Sequence, residues 1–143
     1  WDEPLYRIES EAHTSALLSR IYHFRDHKVT HIRKRDLLPV RYEKQLEDRS
    51  YRGDFVVEFD RDANAAEVWR NGKRGADVDV PPDVLDELSM IYYLRSKELR
   101  VGDTIELAET VEIGARRLPA GTCRITRVTP IEDDIRAWMD GGR

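Results

Sequence analysis

The stretch from Tyr51 to Leu94 most constrains this chain: two segments of alternating polarity flank an Asn71-Gly72 pair and lead into a proline-initiated apolar run. Tyr51, Gly53, Phe55, Val57 and Phe59 keep one parity along a strand that closes at Asp60-Arg61-Asp62-Ala63-Asn64, a cluster of turn formers. Asn and Gly tolerate positive φ, so Asn71-Gly72 between Ala65–Arg70 and Lys73–Val80 predicts a type I′ hairpin. Pro81 and Pro82 cannot donate to a ladder, and their fixed φ suits the start of a helix predicted from about Pro82 to Ser96. Asp83, Asp86 and Glu87 complement the positive end of its dipole. Val84, Leu85, Leu88, Ile91 and Tyr92 form its apolar stripe, whose burial contributes roughly 8–15 kcal/mol before entropy is subtracted. Met90, Tyr93 and Leu94 lie off that stripe and give the helix a second apolar surface.

Alternation elsewhere extends the β reading. Leu5 to Thr14, Lys28 to Arg33 and Val40 to Glu47 predict strands, with Lys44 the odd member of an otherwise apolar face of Val40, Tyr42 and Leu46. Ser15 to Phe24 fits either a short turn of helix or a loop. After Val101-Gly102-Asp103, the residues Ile105, Leu107, Val111 and Ile113 share a parity that Glu109 interrupts. Leu118-Pro119-Ala120-Gly121 predicts a turn, Thr122 to Thr129 a strand, and Ile135 to Met139 a last short strand.

A chain of 143 residues fits one domain with a core of its own. The 24 basic and 28 acidic residues leave a formal charge of -4, so no basic excess exists to neutralise phosphates and nucleic acid is not the expected partner. Cys123 stands alone, which rules out an intrachain disulfide. No segment approaches the roughly 20 apolar residues that span a bilayer as a helix.

No residue cluster has the composition and spacing of a catalytic apparatus, so no catalytic residue and no cofactor is assigned. His23, His27 and His31 recur every fourth residue and are the sharpest metal hint, but Val29-Thr30-His31-Ile32 reads as extended and no cysteine or carboxylate shell accompanies them. Asp60 with Asp62, and Asp133 with Asp134, lie in polar turn sequences that favour acids for local hydrogen bonding. The serines lack a glycine-flanked elbow, and Gly72-Lys73-Arg74-Gly75 lies in a hairpin without the strand-loop-helix context of a phosphate cradle. Lys44 beside Tyr42 suggests a head-group contact for an amphipathic ligand in a β interior, against the plainer reading of a snorkelling or edge lysine.

The run Leu37-Leu38-Pro39-Val40-Arg41-Tyr42-Glu43-Lys44, the Phe59-Asp60 strand end, Pro81-Pro82-Asp83-Val84 with Tyr92-Tyr93-Leu94-Arg95, and Leu118-Pro119-Ala120-Gly121-Thr122 together resemble the bacterial family called domain of unknown function 3108. The likeness runs in order from about Tyr6 to Val128. It implies a secreted or periplasmic protein of Gram-negative bacteria, mostly β, with a curved or barrel-like sheet and no established activity. Against the family pattern the chain lacks a fuller N-terminal strand pair and is shortened near Ala108-Glu109 and near Asp133-Asp134, so the single domain 1–143 is expected to miss N-terminal strands and one or two loops.

The expected fold is therefore mainly β: an antiparallel barrel or strongly curved sheet of about eight to ten strands with the Pro82–Ser96 helix packed against it, or else a two-sheet sandwich. The expected function is a non-catalytic envelope protein whose interior, lined by Tyr42, Lys44, Phe55, Val57 and Tyr92, takes a lipid-like or other apolar ligand. The alternative is an assembly subunit that holds a protein partner through a sheet edge or through Met90, Tyr93 and Leu94.

Overall fold

The computed structural model describes residues 3–17, 20–107 and 121–124. Six strands follow one another in chain order across one antiparallel sheet: β1 (Leu5–His13), β2 (Phe24–Arg33), β3 (Pro39–Asp48), β4 (Tyr51–Asp60), β5 (Ala65–Arg70) and β6 (Lys73–Arg74). A seventh, β7 (Val78–Asp79), pairs with β5 beside β6. The helix α1 spans Glu87–Arg95, and β8 (Thr104–Leu107) pairs with β9 (Gly121–Arg124) in a separate two-stranded sheet. Among the described residues the large sheet does not close on itself, since β1 ends the strand order on one side and β6 on the other. The two junctions expected to be shortened, near Ala108-Glu109 and Asp133-Asp134, lie outside the described residues, as do the Leu118–Ala120 turn, the later part of the Thr122–Thr129 strand and the Ile135–Met139 strand.

Local chemistry accounts for the turns. Asn71 and Gly72 sit at φ 51 and 73, the two positive values a type I′ hairpin demands. The strand after it is shorter than its alternation suggests: it breaks at Gly75 into β6 and β7. Trp69 pairs with Arg74 but Ala66 pairs with Val78, so one extra residue is accommodated between them as a bulge. A Cβ on Gly75 would stand 3.2 Å from the Val68 carbonyl, which explains a glycine there. At the β4–β5 turn the Asp60 carboxylate accepts from the Asp62 and Ala63 N–H groups, and Asn64 takes the left-handed residue at φ 52.

The helix begins five residues later than the proline pair suggests. Pro81 to Leu85 form a turn in which the Val84 N–H donates to the Pro81 carbonyl, and Asp86 is the N-cap. Its carboxylate accepts from the Leu88 and Ser89 N–H groups while the Ser89 hydroxyl accepts from the Asp86 N–H, a reciprocal capping box. Three satisfied donors outweigh the preset φ of the prolines. The stripe is buried only in part as a result. Val84, Leu85 and Leu88 are buried, but Ile91 and Tyr92 remain 45% and 41% exposed.

The core lies on the helix side of the sheet, where Tyr42, Val57, Phe59 and Ala66 meet Val80 and Val84 from the returning chain. Each large side chain so buried contributes roughly 1.5–3 kcal/mol. Arg61 pins that returning chain to the sheet: its guanidinium stacks on Phe59 at 4.7 Å and donates to the Pro39 carbonyl at 2.8 Å and the Val84 carbonyl at 3.2 Å.

A polar clasp beneath the helix

Strand register sorts the side chains into rungs. Thr30, Tyr42, Val57 and Val68 stand side by side across β2 to β5, and Lys28, Lys44, Phe55 and Arg70 form the next rung on the same face. Asp26, Leu46 and Gly53 form a third. The apolar half of this face is floored by Tyr42, Phe55 and Val57, and the β2 half is polar.

Two lysines at adjacent positions of one rung repel unless a carboxylate stands between them, and Glu87 does so from the first turn of α1. Lys44 reaches Glu87 at 3.0 Å, and Lys28 contacts Glu87 and also Asp26 at 3.1 Å. One residue earlier, Asp86 is fully buried and accepts from the Thr30 hydroxyl at 2.5 Å in addition to capping the helix. Consecutive carboxylates thus tie the N-terminus of α1 to β2 and β3 by different chemistry.

Their proton affinities diverge for the same reason. Burial raises the Asp86 carboxyl above its ordinary value and outweighs the hydrogen bonds from Ser89, Thr30 and Leu88. Burial also pushes Glu87 upward, but hydrogen bonds and charge from Lys28 and Lys44 override it and hold Glu87 below its ordinary value. Lys28 is raised: burial opposes its charge, and Glu87 and Asp26 more than offset that. The Tyr42 phenol is driven up first by burial and then by the negative charges of Glu87, Asp86 and Asp26, which places its hydroxyl at the edge of this cluster. Among the described residues neither that hydroxyl nor the Asp26 Oδ1, both buried, makes a well-formed hydrogen bond, though Glu87 approaches the hydroxyl closely enough to add to its rise.

The residues expected to line an apolar interior fall into two groups. Tyr42, Phe55 and Val57 share the helix-side face and are buried. Lys44 is on that face too, yet its ammonium is held by Glu87, and Tyr92 lies out on the exposed side of α1. Of the expected partner-binding residues, Met90, Tyr93 and Leu94 are half-buried on α1. His27 and His31 lie on β2 and His23 just before it, so the three follow an extended chain rather than one helical face. His27 pairs with Glu9 at 2.7 Å and His23 with Glu47 at 3.2 Å. Among the described residues no group of three His, Cys, Asp or Glu side chains is placed to hold a metal ion, and no helix is long and apolar enough to cross a membrane.

Sequence reading did not single out Asp26, Lys28, Thr30 or the distinct roles of Asp86 and Glu87. One cue existed: Asp26, Lys28 and Thr30 keep the parity of buried Ile32, which turns a polar row inward. Asp86-x-x-Ser89 was the second, a capping box with serine in the third position. A further cleft of about 410 Å³ opens away from the clasp, among Glu3, Arg33, Arg35, Asp60, Arg61 and Asp62. Arg33 there is already engaged by Asp36 at 2.6 Å.

No curated protein and no solved structure matches the chain significantly. The model of the family described as Protein of unknown function (DUF3108) matches residues 1–110, most of the 143-residue chain and all of the large sheet, the clasp and α1. The chain belongs to the DUF3108 family.

Proposed function

We propose that the chain is a non-catalytic, exported envelope protein, periplasmic in location, that binds a lipid-like or other apolar ligand in a barrel-like interior on the helix side of its sheet. The observation that carries this reading is the Tyr42 hydroxyl. It is buried, has no well-formed hydrogen bond among the described residues, only a weak approach to Glu87, and sits where the apolar floor of Phe55 and Val57 meets the Lys28–Lys44–Glu87 clasp. A buried hydroxyl left unpaired costs about 1–3 kcal/mol, and the polar end of an amphiphile would satisfy it while the tail covers the floor. Helix α1 suits a cover: beyond its polar attachment it buries only Leu88 and Ser89, so its far end lifts at little cost.

Native mass spectrometry of protein purified gently from its host tests this, with a retained amphiphile expected. Tyr42→Phe separates the ligand role from a structural one. Removing an unpaired hydroxyl should leave stability equal or slightly higher, while uptake of a fluorescent fatty-acid analogue weakens. Protein that carries no ligand and takes up no analogue would refute the proposal.

A second reading, a partner-binding subunit of an envelope assembly, draws on the exposed Ile91 and Tyr92 and on the edge strand β1. Thr14 N–H donates to the Phe24 carbonyl and Lys34 N–H to the Pro4 carbonyl, so even-numbered residues of β1 face β2 and the odd-numbered backbone groups face outward. Crosslinking in the host through a photoreactive residue at position 91 would trap a protein under this reading and nothing under the first.

A further inference from the structure

We propose that the sheet face opposite α1 carries a separate binding site for a quaternary ammonium ligand, in a cleft of about 230 Å³ walled by Trp69, Val56, Arg41, Asp54, Glu58 and Gly72. Trp69 and Val56 stand opposite each other on one rung and make an apolar floor. Arg41 and Glu58 form the rung on one side, and Asp54 flanks it on the other. The indole ring is half-buried, and among the described residues it makes no hydrogen bond and no ring contact.

Charge selects the ligand's sign. The Arg41 guanidinium is occupied by Glu43 at 2.7 Å and by Glu58, and Asp54 adds an exposed carboxylate that has no ion-pair partner among the described residues. The cleft walls thus carry two carboxylates, Asp54 and Glu58, against one guanidinium, and Glu43 stands beside Val56 on the neighbouring strand, so the cleft is acidic. The other charged groups of this face are matched among themselves: across from Trp69, Arg74 is held by Glu67 at 2.8 Å and Asp77 at 2.9 Å. On β1, Glu9 is held by Arg7 and His27. An anion is repelled from the cleft, whereas a cation gains both the carboxylate field and the negative face of an indole, the strongest of the aromatic rings for this contact. A quaternary ammonium fits an apolar floor because it has no N–H donors to leave unsatisfied.

The test uses the full chain and follows the indole N–H resonances of its three tryptophans by two-dimensional NMR, the Trp69 signal being identified by its loss in Trp69→Phe. Choline and tetramethylammonium chloride should shift that resonance saturably, while sodium chloride and the uncharged isostere 3,3-dimethylbutanol should not. Trp69→Ala should weaken choline binding about tenfold, and Glu58→Gln about threefold with a smaller salt dependence. Should Trp69→Ala fail to fold, Glu58→Gln, a surface change, carries the test. Absence of a saturable shift, equal binding of the uncharged isostere, or equal movement of all three indole signals would overturn the proposal.

Discussion

Replacing Asp86 by Ala removes one carboxylate that serves two elements at once, so its cost can be assembled from the structure. The Leu88 and Ser89 N–H groups, each donating at 2.8 Å, lose their cap, which costs about 1 kcal/mol. The Thr30 hydroxyl loses its 2.5 Å acceptor in a buried setting, and a bond to a charged group contributes about 1.5–3 kcal/mol. Thr30 recovers part of this through the Arg41 carbonyl at 3.3 Å, and an uncomfortable buried charge disappears, so the net loss expected is about 2–3 kcal/mol. Asp86→Asn keeps a cap acceptor and should lose about 1 kcal/mol or less. Because burial raises Asp86 in the folded state, the folded protein holds this proton more tightly than the unfolded chain. The linked stability is full below the ordinary carboxylate value and is lost as pH rises through the folded value. Asp86→Asn has no such proton and should therefore gain on the parent between acid and neutral pH. Urea unfolding followed by circular dichroism at several pH values measures both quantities. A loss below about 0.5 kcal/mol for Asp86→Ala, or no coupling with Thr30→Val in a double-mutant cycle, would refute the account of the helix attachment.

Glu87→Gln should show the opposite pH dependence. Glu87 is held below its ordinary value, so the stability it contributes is present above the unfolded carboxylate value and is lost as pH falls through the folded one. The difference between parent and variant in thermal unfolding should thus be largest near neutrality and vanish in acid. Gly53→Ala places a Cβ 2.7 Å from the Phe55 ring and the Tyr51 hydroxyl, and should destabilise by about 1–3 kcal/mol in the same denaturation assay. Arg61→Met strips donors from the Pro39 and Val84 carbonyls and should cost about 2–4 kcal/mol, with faster amide exchange over residues 80–86 as its local signature.

The β architecture was legible because its information is local. Alternation along Tyr51–Phe59 places successive side chains on opposite faces whatever their partner, and Asn71-Gly72 demands its turn from two residues alone. The family was legible for a related reason, as ordered short motifs survive in the chain itself. The helix start was harder: prolines and an N-cap compete over a few residues, and the capping box with Ser89 won. The break of the second hairpin strand at Gly75 reflects a one-residue shift in its pairing with β5, which no run of residues states.

The clasp was out of reach for a deeper reason. Lys28, Lys44 and Glu87 are distant in the chain, and although Lys44 stands out on an apolar strand face, nothing in the sequence names Lys28 as its neighbour or Glu87 as their shared partner. Antiparallel register sets the two lysines on one rung, and the return of the chain through Pro81–Leu85 lowers α1 over them. Period and turn chemistry belong to neighbours in sequence and can be read there. Burial of a charge and the choice of its partner are properties of the assembled solid, because desolvation acts only once the sheet and helix have closed on the same residues.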